Sequence, residues 1–230
     1  MQEEINGWLN IDKPLEYSSA KVVAIVKKLL KVKKVGHGGT LDPLATGVLP
    51  IAINKATKTT EKMMSFNKSY TFDITFGEER TTGDAEGKIL SVNPKTPTEK
   101  EIIEKISNFT GIIKQIPPIF SALKVNGKRA YELARSGEKF ELKEREVRVL
   151  DLKFIGFKNN NTATLYVECG KGFYVRSLAI DISKSLETVG YISYLRRESV
   201  GIFDQSNILK LEKVENLAQN NQIKKHLINI

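Results

Sequence analysis

Apolar residues recur at helical spacing near the amino end. Val22, Val23, Ile25, Val26, Leu29 and Leu30 form one stripe, the signature of an amphipathic helix. Ser18 or Ser19 can open it, because a hydroxyl there accepts an orphan backbone N–H. Lys27, Lys28, Lys31, Lys33 and Lys34 crowd its C-terminal end, where the helix dipole favours cations. Ahead of it, "GWLNIDKP" (Gly7 to Pro14) reads as a short strand ended by proline. Further on, "YTFDITF" alternates strictly. Tyr70, Phe72, Ile74 and Phe76 share one face, and Thr71, Asp73 and Thr75 the other, which predicts a half-buried strand.

The remaining pattern is mixed. A turn-rich stretch, "GEERTTGDAEG", precedes a short strand from Lys88 to Val92. Thr98 with Glu101 makes a capping box that opens a helix to about Phe109. "QIPPIFSALKVNG" reads as a Pro-containing loop with a strand pair around the tight-turn signal Asn126-Gly127. "AYELARSG" is a short helix stopped at Gly137. Val147–Phe157 and Thr162–Cys169 are strands, 174–186 a helix, and Tyr191–Val200 a strand. Short turns between strand pairs, with helices interspersed, predict an α+β fold with a largely antiparallel mixed sheet flanked by helices and loops. Residues 204–230 are too few for a further domain and read as a strand or helix with a polar tail.

Composition narrows the function classes. The 230 residues carry 36 Lys and Arg against 27 Asp and Glu, a formal charge of +9, which points to a polyanionic partner as readily as to a Lys-rich solubilising surface. Two His and one Cys cannot build a His/Cys zinc site, and a single Cys makes no internal disulfide. The mean hydropathy of −0.27, the acidic Met1-Gln2-Glu3-Glu4 start and the lack of a long apolar run argue for a cytoplasmic protein without membrane span or leader.

The chemistry concentrates in "GHGGTLDPLATGVLPI", residues 36–51. Its glycines match neither the P-loop nor the dinucleotide fingerprint; they allow another backbone to approach closely. A lone carboxylate, Asp42, sits between Leu41 and Pro43. It is either an Asp-Pro turn or a charge carried into an apolar pocket. "GKGFYVRSLAIDI" (Gly170 to Ile182) offers a partner: Arg176 sits among apolar helix residues, and a buried guanidinium needs a carboxylate. An Asp42–Arg176 pair would keep the carboxylate ionised and available as nucleophile or base; a purely structural ion pair is the alternative. His37 can stack on a base, contact a phosphate or serve the core. Tyr70 and Tyr174 can wall a flipped base or pack inside.

Together these stretches resemble the TruB family of tRNA pseudouridine-55 synthases. Besides residues 36–51, the resemblance rests on "SYTFDITFG", "QIPPIFSALKVNGKRAYELARSG", "GKGFYVRSLA" and "YLRRESVGIF", in that order, across about residues 7–203. It implies the pseudouridine synthase fold, with an active-site cleft across the sheet. It also implies isomerisation of the T-loop uridine (U55) of tRNA, by base flipping and with no cofactor or metal. By the same resemblance the catalytic residues are Asp42, Tyr70 and Arg176, and Tyr70 stacks on the flipped uracil. His37 helps dock the RNA, Tyr174 and Leu195 line the base pocket, and Lys13 lies at the rim. Covalent attack on the sugar and proton abstraction toward a glycal both remain open for Asp42.

Two departures stand out. Arg80-Thr81-Thr82 occupies the place where family members carry Thr-Asp-Thr, with Asp84 and Gly87 retained. Residues 204–230 leave no room for the PUA domain many members have, so the expectation is one catalytic domain over residues 1–230, acting on tRNA as a monomer with no protein partner. The competing readings are a non-catalytic RNA-binding or RNA-folding module and a relative aimed at another RNA by a guide. Asp42, Tyr70 and Arg176 in matching contexts favour the enzyme, since a binder has no need of them.

Overall fold

The computed structural model describes residues 5–125 and 127–230. In chain order the elements begin with strand β1 (Gly7–Lys13), helix α1 (Ser19–Leu30), strands β2 (Val35–His37) and β3 (Ala45–Ile53), and helix α2 (Thr60–Ser65). Strands β4 (Lys68–Phe76), β5 (Glu78–Arg80) and β6 (Ile89–Val92) follow, then helix α3 (Glu99–Ile106). Next come strands β7 (Gly111–Gln115), β8 (Lys124–Val125) and β9 (Lys128–Arg129), and helix α4 (Ala130–Arg135). Strands β10 (Arg145–Asn159) and β11 (Thr162–Cys169), helix α5 (Val175–Ser185), strand β12 (Gly190–Val200) and helix α6 (Leu211–Gln219) complete the chain. Every extended strand pairing described is antiparallel; the parallel contacts are isolated bridges. Among the described residues no helix is long and apolar enough to cross a membrane.

The chain divides into two compact units, one made of residues up to Tyr70 together with Arg196–Ile230, the other of Thr71–Leu195. In the first, β3 is the central strand. β1 pairs with it from Gly7↔Ile53 to Lys13↔Gly47, and β2 takes the opposite edge at Ile51–Ile53. Of β3 only Thr46 is not fully buried, so its sequence is a continuous apolar run without alternation. Trp8, Val48, Ala52, Met63, Val200 and Phe203 form one core cluster, with the rings of Trp8 and Phe203 6.2 Å apart. α1 has the predicted Ser18 cap, whose hydroxyl accepts from the Lys21 N–H. Residues 204–230, read from sequence as a strand or helix with a polar tail, contain the helix α6 and are packed in. Val214, Leu217 and Ile223 are buried, and Trp8 and Ile228 exchange two backbone hydrogen bonds of 2.8 Å.

In the second unit β10 pairs with β11 on one edge and β7 on the other, and α3 packs against β10. α3 opens with the predicted capping box, Thr98 and Glu101 each bonding the other's backbone N–H, a device worth about 1 kcal/mol. Phe72, Ile74 and Phe76 are buried as the alternation requires, but Asp73, expected on the solvent face, is buried too. Cross-strand neighbours cover it: Thr164 donates to its carboxylate at 2.7 Å and Lys158 at 3.2 Å. A buried charge is tolerated when it is bonded in this way. Of the predicted tight turn, Asn126 lies outside the described residues; the flanking strands pair Lys124 with Arg129 and Val125 with Lys128. The turn-rich stretch contains a strand the pattern hid, β5, paired with β6.

Candidate active site

In the first unit, chain 38–48 connects β2 to the start of β3 and carries Asp42. Three buried side chains fix it. Ser19 Oγ donates to the Leu41 carbonyl at 3.0 Å and accepts from the Leu41 N–H at 2.8 Å. Arg197, 1% exposed, donates through Nε to the Val48 carbonyl at 2.7 Å and through Nη2 to the Gly39 carbonyl at 3.0 Å. Lys13, expected at the rim, is instead wholly buried. Its ammonium donates to the carbonyls of Pro14, Tyr17 and Pro43 at 2.9, 2.5 and 3.0 Å. Burial pulls the Lys13 pKa down to about 8, the Asp42 charge resists that shift, and Arg197 adds to it.

Asp42 is partly exposed between buried Leu41 and Ala45. The Ala45 N–H donates to the Asp42 carbonyl at 3.0 Å, closing a turn with Pro43 at its second position, where proline's fixed φ fits. The turn reading of the lone carboxylate therefore holds, and the turn sets a partly exposed carboxylate near the buried Lys13 ammonium. Two of the neighbouring glycines are closely approached by the protein's own chain, Gly38 by a core side chain and Gly47 by another stretch of backbone, as expected. A Cβ on Gly38 would lie 2.1 Å from Met63 Cγ, and one on Gly47 2.2 Å from the Arg197 carbonyl. His37 sits at the end of β2 opposite Ile51, half-buried, and Tyr70 is 8% exposed in β4.

In the second unit the N-terminus of α5 is stitched to the chain after β7. Tyr174 caps the helix and is clamped by the buried Gln115 side chain, which donates to the Tyr174 carbonyl at 3.2 Å and accepts its N–H at 3.1 Å. Ser177 Oγ donates to the Ile116 carbonyl at 2.7 Å. Arg176, 5% exposed, donates to the Phe120 carbonyl at 2.9 Å and the Thr82 carbonyl at 3.0 Å, and its Nη1 is 3.7 Å from the Asp84 carboxylate. Asp84, also buried, accepts from Thr82 Oγ1 at 2.6 Å and the Glu86 N–H at 3.1 Å. The Pro-containing stretch 115–120 is thus tied to α5 at Gln115, Ile116 and Phe120. Leu195 is buried in β12.

Each unit therefore holds part of the expected set. Lys13, His37, Asp42 and Tyr70 belong to the first, and Tyr174, Arg176 and Leu195 to the second. Sequence reasoning passed over Arg197, Gln115 and Ser19. The available signal for Arg197 was its place two residues after Leu195 in a strand, which puts both on one face. A carboxylate on a rigid turn next to an ammonium is equipped to act as nucleophile or base.

The fold is that of the pseudouridine synthases. The chain aligns over 97% of its length with a chain of the "Crystal Structure of a Cbf5-Nop10-Gar1 Complex", at 27% identity and a TM-score of 0.77, spanning 60% of that chain. It aligns over 96% with one from the "Structure of H/ACA RNP bound to a substrate RNA containing 2'-deoxyuridine", at 25% identity and a TM-score of 0.72, spanning 56% of it. Residues 27–175 match the model "TruB family pseudouridylate synthase (N terminal domain)", and the chain belongs to that family. Among its relatives is the tRNA pseudouridine synthase B of Ehrlichia ruminantium (strain Gardel), 50% identical over 223 residues that cover 96% of this chain and 75% of the relative. That of Rickettsia africae (strain ESF-5) is 46% identical over 94% of this chain and 63% of its own length.

Proposed function

We propose that this chain is a tRNA pseudouridine synthase that isomerises the T-loop uridine at position 55. The reaction breaks the bond from C1′ to N1 of uracil, turns the base and rejoins it through C5, the C5 proton being given up. It is redox-neutral. Asp42 is the catalytic carboxylate, Tyr70 stacks on the flipped base, and Arg176 supplies the positive charge that chemistry at a carboxylate requires. His37 docks the RNA, and Tyr174 and Leu195 wall the base. Lys13 is reassigned from a rim contact to a support of the Asp42 turn.

The observation that carries this reading is the Asp42 turn itself, a partly exposed carboxylate held by a buried ammonium through the next residue's carbonyl. The surface of the first unit supports an RNA substrate. Lys31, Lys33, Lys34, Lys55 and Lys58 are exposed, and the Lys34 backbone bonds Asn54, which brings the end of α1 beside Lys55. None of the five is ion-paired among the described residues, as suits a surface that meets phosphates. We place the enzyme in the cytoplasm, working as a monomer.

The test is carbodiimide labelling and primer extension on a tRNA transcript treated with the protein. A stop adjacent to position 55 is expected. Tight binding with no stop makes the chain a binding module, and a stop elsewhere reassigns the target.

A further inference from the structure

Arg80 stands where the family pattern has an uncharged residue, and the structure shows what its guanidinium does. Nε and Nη2 both donate to Glu78 Oε2, at 3.1 and 2.6 Å, and Nη1 donates to the carbonyls of Ala85 and Gly87 at 3.3 Å each. The guanidinium plane lies over the Tyr191 ring, 4.4 Å from its centroid, a favourable cation–π position. Donors and face are thus committed inward, and little is left for a phosphate.

The turn that Arg80 closes is the one that meets Arg176. Thr81 N–H donates to the Lys88 carbonyl at 2.9 Å, and Gly83 N–H to the Arg80 carbonyl at 3.0 Å. The Gly83 carbonyl accepts from the Ile192 N–H at 3.0 Å, next to the Tyr191 on which Arg80 stacks. Residues 80–88 are therefore fastened to β12 at two successive positions. From that footing the turn presents the Thr82 carbonyl and the Asp84 carboxylate to the Arg176 guanidinium. A guanidinium's planar fork suits this work, since it reaches a carboxylate and two carbonyls at once.

We infer that Arg80 is a positioning residue for the isomerisation: it holds the 80–88 turn so that Asp84 and Thr82 fix the orientation of Arg176. This rests on the uridine-isomerase reading. Nothing in it makes Arg80 touch the RNA.

The experiment is single-turnover tritium release from a T-stem-loop transcript labelled at uridine C5, with RNA affinity from filter binding and melting followed in parallel, well below the transition. Arg80→Ala is expected to slow the step at saturating enzyme about tenfold, since small misplacements of a reacting group cost that much or more, with affinity within about twofold of the unaltered protein. The double variant Arg80→Ala/Asp84→Asn should be no slower than Asp84→Asn alone, because both changes act through one turn. Should the alanine variant misfold, Arg80→Gln, which keeps a donor but not the fork, must show the same split. An unchanged rate, weakened RNA binding with the rate intact, or losses that multiply in the double variant would each overturn the inference. If the unaltered protein releases no tritium, the functional reading itself has failed.

Discussion

The buried Lys13 ammonium donates to the Pro43 carbonyl at 3.0 Å, so the peptide unit that follows Pro43, one residue after Asp42, is fixed by a charge with no access to water. Holding that charge is costly in the native state. The Lys13 pKa is about 8 when folded against 10.5 ordinarily. Between those values the unfolded chain binds a proton the folded one does not, so this group adds stability as pH rises from about 8 to 10.5 and withholds it below. Near pH 9, the unfolding free energy of the unaltered protein should climb with pH more steeply than that of Lys13→Met, by about 1.4 kcal/mol per pH unit. Equal slopes in urea titrations across that range would mean Lys13 is not the group responsible.

Gly38 is fixed by packing. A methyl group there would meet Met63 Cγ at 2.1 Å and the Trp8 ring at 3.2 Å, so Gly38→Ala should destabilise by about 1–3 kcal/mol, as overpacking of a tight core does. In a Met63→Ala background, itself weakened by the cavity it leaves, the same change should cost less. Thermal melts of the single and double variants decide it, and losses that simply add would remove the proposed clash.

Arg176→Ala should weaken the fold as well as the reaction. It removes the donor to the Phe120 and Thr82 carbonyls and leaves the Asp84 carboxylate buried without its nearby guanidinium. Breaking such an arrangement costs about 3 kcal/mol or more, readable as a lower urea midpoint. A midpoint unchanged from that of the unaltered protein would show that the network carries no stability.

Asp42→Asn keeps shape and turn but removes the charge. Its turnover should fall below detection in the C5 tritium assay, while RNA binding stays within a fewfold of the unaltered protein. Residual pseudouridine formation at a measurable fraction of the original rate would remove Asp42 from the chemistry.

Much of this is legible in the sequence. The α1 stripe, the capping box of α3 and the alternation of β4 fall where the pattern puts them, because each rests on local spacing. β3 was not legible as a strand: buried on both faces, it shows an apolar run with no period to read. The burial of Arg197 and Lys13 is not legible in the sequence, because long cations are usually solvated. Both are held by backbone carbonyls, and the Pro43 carbonyl on Lys13 and the Gly39 and Val48 carbonyls on Arg197 come from far along the chain, beyond any sequence window. Asp73 fails similarly, since the groups that cover it come from strands some 85 to 91 positions later. Of the two alternatives the Asp42 stretch offered, the Asp-Pro turn is the one the backbone takes.

The pairing of Trp8 with Ile228 bears on the order of assembly during synthesis. Thr71–Leu195 is one uninterrupted segment, able to close on itself as it leaves the ribosome. The first unit has β1, β2 and β3 from early in the chain but takes Arg197, Phe203 and Ile228 from its last stretch. The strap that holds Gly39 and Val48 is translated about 150 positions after them, so the Asp42 turn must wait for it. Contacts so distant in sequence close slowly. The first unit is thus completed after the second, and the Asp42 turn gains its fixed geometry only once residues 196–228 have been made.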